Sequence, residues 1–123
     1  MERTFVVLAS VSGFLAVALG AFGAHLLRDR LGPQLMGTFE TGQRMHIFHT
    51  VALLAVAWAT TRWPGPAVST AGWLFVVGIV LFSGSLYLLA ITGHRWLGAI
   101  TPLGGLCFLG GWLALVRAVW TGH

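Results

Sequence analysis

Apolar residues fill this chain in four long blocks with little between them. Residues 4–24, 45–61, 70–92 and 97–116 contain no Asp, Glu, Lys or Arg. A hydrocarbon core about 30 Å thick needs roughly 20 apolar residues of helix to cross it. The blocks therefore predict an all-α integral membrane protein, a four-helix bundle with spans near 4–24, 45–61, 70–92 and 97–119. They lack the period-2 alternation of barrel strands, and lipid offers the backbone no hydrogen bonds, so helices are expected. One transmembrane domain, 1–123, accounts for the whole pattern.

Within the blocks, small residues recur at helical spacing. Ser12, Ala16, Gly20 and Ala24 stand four apart, and Gly104, Cys107, Gly111, Ala114 and Ala118 form a second narrow stripe. Small faces let helix backbones approach closely in lipid, so Ser12, Ala16, Gly20, Gly104 and Gly111 are expected at helix contacts. In the second block, a rotation of about 100° per residue puts Gly42, His46, His49, Leu53, Ala57 and Thr60 on one face. Ile47, Val51, Leu54 and Trp58 fall opposite, in line with Glu40 and Arg44. The small and polar stripe is expected to face the bundle and the bulky one lipid. In the third block Ala71, Gly78, Ser85 and Thr92 repeat every seven residues, while Ser83 and Tyr87 lie elsewhere. That helix is expected to meet two neighbours.

The connections carry the punctuation. Gly32-Pro33 is a breaker that places Pro33 at the start of a helix. Residues 33–41 read as a short helical segment in the first loop, lying at the membrane surface, that can run on into the second span. Glu40 and Arg44 are spaced i, i+4 along it and are placed to pair. Trp63-Pro64-Gly65-Pro66 makes a stiff turn. Gly93-His94-Arg95-Trp96 makes a tight one, so spans three and four form an antiparallel hairpin. Thr101-Pro102 either kinks span four or caps its start. The first block resembles a secretory signal but is over-long for one, and it is read as a membrane helix.

Composition narrows the function classes. Charged residues are only 8% of the chain against 57% hydrophobic, and every basic residue is Arg. The arginines sit at span ends, with no basic cluster elsewhere, so no nucleic-acid partner is expected. Arg3, Arg62 and Arg117 fall on one side and Arg28, Arg30, Arg44 and Arg95 on the other, too even a division to orient the chain. Cys107, alone and mid-span, makes no intrachain disulfide.

Several motifs also resemble, in order, those of one small membrane family. They are Gly20-Ala21-Phe22-Gly23-Ala24-His25, Phe39-Glu40-Thr41-Gly42 with Arg44 and His49, Leu81-Phe82-Ser83-Gly84-Ser85-Leu86-Tyr87, and Leu97-Gly98-Ala99-Ile100-Thr101-Pro102-Leu103-Gly104-Gly105. The family is domain of unknown function 423, which includes the eukaryotic transmembrane protein 256. The resemblance covers nearly the whole chain and implies a four-span protein of the bacterial inner membrane, with no activity to carry over. Met45-His46 departs from the Tyr-Gln pair expected at that point, whereas His25, Glu40, Arg44 and His49 match.

Ionisable groups inside spans usually face the bundle interior. His25, Glu40, Arg44, His49, Ser83, Ser85, Tyr87 and Thr101 are candidates for one intramembrane polar cluster centred on His49. Glu40 and Arg44 join it only if the chain bends near Gly42. His46 and His49, with His25 or Glu40, are too few ligands for a convincing metal site. Haem ligation from His25 and His49 is weaker still. No Ser-His-Asp set is available, since Asp29 is the only Asp and lies between two arginines; the balance is against an enzyme, and no metal or cofactor is expected. The leading expectation is an accessory or structural protein in contact with the lipid bilayer, packed into a homo-oligomer or larger membrane complex. A small channel or transporter built around His49 is the alternative, and a metal- or haem-binding protein a further one.

Overall fold

In a computed structural model, residues 1–122 are described, and they are helical almost throughout, with no strand among them. Helix α1 covers Glu2–Leu27 and α3 covers Pro66–Thr92. Helix α2 is Pro33–Arg62 and α4 is Thr101–Thr121. A short 3-10 turn at Arg95–Ala99 leads into α4. Three stretches, Glu2–Leu27, Pro66–Thr92 and Arg95–Thr121, are long and apolar enough to cross a membrane. Helix α2 falls outside that group because its charge-free run, residues 45–61, is short, is flanked by Arg44 and Arg62 and contains His46 and His49.

The helix boundaries follow from local chemistry. Pro33, Pro66 and Pro102 each stand in the first turn of a helix, where a missing N–H costs no hydrogen bond. Thr101-Pro102 thus starts α4 rather than kinking it. Gly93 ends α3 in the left-handed conformation at φ 76°, which a glycine adopts without Cβ strain. The segment 33–41 is not a separate surface helix. It is continuous with the rest of α2 through Gly42.

The helices pack as antiparallel neighbours. Ser12 of α1 meets Thr50 of α2, and Gly20 lies against Gln43. Gly42 of α2 faces Ser83, Leu86 and Tyr87 of α3. Along α3 and α4, Gly78 receives the Phe108 ring, Gly111 receives the Phe75 ring, and Gly104 lies on the backbone of Phe82. Phe5 of α1 sits on Gly72 of α3 and meets Trp73 edge-on, with ring centroids 5.5 Å apart. Gly122 lies beside Trp63, so the start of α1, the Arg62–Pro66 turn and the end of α4 share one rim.

Helix α2 is the central element. His46, His49, Leu53, Val56 and Ala57 are all buried, while Ile47, Val51, Leu54 and Trp58 are exposed. The face assignment read from the periodicity agrees with this burial. Rings seated on glycines do much of the packing, because a bare backbone admits an aromatic face at van der Waals distance. Two π turns, Leu19–Gly23 in α1 and Ile79–Ser83 in α3, each insert an extra residue. The second re-phases α3, so Gly78 addresses α4 while Ser83 and Tyr87 address α2.

Candidate functional site

His46 sits where α1, α2 and α3 converge, and its neighbours fix its tautomer. The Gln43 amide donates to Ala16 O at 2.6 Å, which turns Gln43 Oε1 toward α3. Tyr87 donates its hydroxyl to that oxygen at 2.9 Å. The Tyr87 oxygen must then accept from His46 Nδ1–H, 2.8 Å away. His46 Nε2 is left as an acceptor for the Ser12 hydroxyl at 2.9 Å. Thr50 closes the group, its single proton shared between Ser12 Oγ at 2.6 Å and the His46 carbonyl at 2.8 Å. Five side chains from three helices thus form one connected network.

His49 is held separately. Trp112 of α4 donates its indole N–H to His49 Nε2 at 3.1 Å. Nδ1 therefore carries the proton and donates to Met45 O at 2.9 Å. The imidazole stacks on Phe108, with centroids 3.6 Å apart and planes within 5°. His49 was expected to reach Ser83, Ser85, Tyr87 or Thr101, and its hydrogen bonds go to none of them. The reason is rotation: residues three apart differ by about 300° on a helix, so His49 turns toward α4 while His46 addresses α1 and α3.

The other expected members divide in the same way. Ser83 donates to Gly42 O at 2.7 Å and ties α3 to α2. Ser85 donates to Phe82 O at 2.9 Å, so Thr101 is the donor in its 2.6 Å contact with Ser85, which ties α3 to α4. Tyr87 belongs to His46. His25, Glu40 and Arg44 are exposed and take no part in these bonds. A bend at Gly42 would have brought the last two inward. The helix instead runs unbroken through Gly42, which gives α3 close access, since a Cβ there would stand 3.2 Å from Leu86 and 3.3 Å from Tyr87.

The single polar cluster centred on His49 is thus replaced by a larger one at His46 and smaller ties around it. Gln43, Thr50 and Trp112 were missed, and Ser12 was read only as a packing residue. Gln43, His46 and Thr50 are spaced i, i+3, i+7, a helical stripe that was legible. Trp112 gave no such signal, because its role depends on which helix lies beside α2. Among the described residues, no buried side-chain nitrogen or oxygen lacks a partner. All four imidazole nitrogens of His46 and His49 are engaged, so a metal or haem iron would have to displace an existing bond. No group of three or more metal-ligating side chains converges among the described residues.

Open grooves mark the outer surface. One between α1 and α3, about 510 Å³, has Ser12, His46 and Tyr87 in its lining and apolar walls. Another between α2 and α4, about 730 Å³, runs from Arg44 past His49 to Trp112. A third between α1 and α2, about 360 Å³, is lined partly by Gly13, Ala16, Gly20 and Ala21.

The sequence has close relatives with the same extent. The family described as protein of unknown function (DUF423) matches residues 19–105. The UPF0382 membrane protein YwdK of Bacillus subtilis (strain 168) is 44% identical over 117 residues, covering 94% of this chain and 95% of that protein. The UPF0382 inner membrane protein YgdD of Escherichia coli (strain K12) is 44% identical over 119 residues, covering 96% and 91%. A UPF0382 membrane protein of Staphylococcus epidermidis (strain ATCC 12228 / FDA PCI 1200) is 44% identical over 116 residues, covering 94% of each. No solved structure matches the chain. With more than half of its length matched and relatives aligned nearly end to end, the chain belongs to the DUF423 family and is a multi-pass integral protein of the bacterial inner membrane.

Proposed function

We propose that the protein is a single-domain, four-span accessory or structural component of the membrane, acting through helix packing with copies of itself or within a larger membrane complex. The observation that carries this reading is the commitment of the interior. Every buried polar side-chain atom among the described residues already has a partner in the same chain. A solute path across the bilayer needs polar groups that line it and that a solute can reach. Here the polar groups tie helices together.

The fourth span is supported by the position of α2. Its charge-free part, residues 45–61, lies antiparallel beside helices that are long and apolar enough to cross. Arg44 and Arg62 bracket it, 18 residues and about 27 Å apart at 1.5 Å per residue, close to the thickness of the hydrocarbon core. A helix packed along one face against crossing neighbours over that length crosses with them.

An outward face suited to packing favours assembly. The α1 wall of the α1–α2 groove is mostly small, with Gly13, Ala16, Gly20 and Ala21, and its α2 wall includes Ile47 and Val51, a surface against which another helix can pack in lipid. The test is crosslinking in native membrane. With Cys107 changed to Ser, a cysteine at Ala21 is expected to give a crosslinked adduct, while one at the exposed Leu113 of α4 is not. Monomer at both positions would overturn the assembly reading. Proton or ion flux into liposomes holding the purified protein would favour the channel alternative instead.

A further inference from the structure

Glu40 and Arg44 have the spacing of a helix ion pair, yet no ion pair joins them within the 4.0 Å that defines one. Both are exposed on the same side of α2, one turn apart. Arg44 instead lines the end of the apolar groove between α2 and α4. Beyond it the walls are Phe48, Leu106, Phe108 and Trp112, with His49 at the floor. From Pro102 to Trp112 the groove follows 10 residues of α4, about 15 Å, the depth of one leaflet's hydrocarbon.

The order of the charges matters. Arg44 stands at the hydrocarbon boundary, given the crossing of residues 45–61 argued above. Glu40 lies about 6 Å further out, in the head-group layer. A cation at the boundary, an anion one turn outward and an apolar channel running inward match an amphiphile with the opposite arrangement. That amphiphile has an acyl chain, then a phosphate, then an ammonium group. We propose that this groove holds an aminophospholipid, with its phosphate on Arg44, its ammonium on Glu40 and one acyl chain between α2 and α4. The ammonium donates hydrogen bonds to the Glu40 carboxylate, and the Arg44 guanidinium donates to the phosphate oxygens. A phospholipid without an amine leaves Glu40 beside a net negative head group. A quaternary amine meets Glu40 without a hydrogen bond to give.

The proposal rests on the membrane placement of α2 and not on the accessory role. The test uses the full chain in mixed micelles holding equal amounts of phosphatidylethanolamine, phosphatidylglycerol and phosphatidylcholine, with bound lipid read by native mass spectrometry. Exposed charge pairs give at most about a fivefold preference, and that is the enrichment expected for phosphatidylethanolamine over phosphatidylglycerol. Glu40→Gln should abolish the preference while phospholipid adducts remain. Arg44→Gln should lower all adducts. Both residues are exposed, so the variants should keep wild-type helix content by circular dichroism. Equal retention of the three lipids by the unmodified chain, or an unchanged preference in Glu40→Gln, would overturn the assignment. So would displacement of the lipid by inorganic phosphate, which would mean an anion site at Arg44 and no lipid groove.

Discussion

Tyr87 is the side chain on which the polar interior turns. Its hydroxyl donates to Gln43 and accepts from His46, so one oxygen joins two residues of α2 to α3. Removing it leaves an amide oxygen and an imidazole N–H without partners in a place where water is scarce. Buried polar groups left unpaired cost about 1–3 kcal/mol, and inter-helix hydrogen bonds in membranes fall toward the lower end. Tyr87→Phe is therefore expected to lower unfolding free energy by about 1–2 kcal/mol in bicelle unfolding measurements. Thr92→Val, which removes an exposed hydroxyl that donates to Leu88 O and accepts a long 3.3 Å bond from His94 N–H, should change it by less than about 0.5 kcal/mol. Equal effects would mean that the network around His46 adds nothing. The inward direction of both histidines was readable from periodicity. Their partners were not, because a 60° difference in heading sends them to different helices and only the packing says which helix is where.

At the level of helices, the contact between α3 and α4 depends on missing side chains. A Cβ at Gly104 would collide with the backbone of Phe82, which cannot move aside as a flexible side chain can. At the adjacent Gly105 the nearest atom, on the Phe82 ring, would lie 3.8 Å away, an ordinary contact. Gly104→Ala should therefore destabilise the hairpin by about 1–3 kcal/mol. Gly105→Ala should be neutral or slightly stabilising, since alanine favours helix over glycine. Thermal unfolding of the two variants in the same detergent separates these outcomes, and comparable losses would contradict the close α3–α4 approach. The stripe containing Gly104 and Gly111 was visible in the sequence as a small face. The two π turns were not; the one in α3 lies where that helix passes from facing α4 at Gly78 to facing α2 at Ser83. The continuous run of α2 from Pro33 was half visible: Pro33 marked the start, but the charges at Glu40 and Arg44 suggested a segment lying on the membrane surface.

For the whole molecule, four antiparallel helices place the start of α1, the end of α4 and the Arg62–Pro66 turn at one rim, with the first and third connections at the other. The order and length of the four apolar blocks, with the tight turn at Gly93–Trp96, made the helix arrangement legible. The balanced arginines left the orientation open, because neither rim holds a clear excess of positive charge. The central claim is that residues 45–61 of α2 cross the bilayer, which makes the protein four-span. In a Cys107→Ser background, single cysteines replace Asp29, before α2, and Gly65, after it, and intact cells are treated with a membrane-impermeant maleimide. The account predicts that one of the two is labelled at once and the other only after the membrane is opened, with a cysteine at His94 behaving as the one at Asp29. Labelling of Asp29 and Gly65 positions from the same side would contradict it.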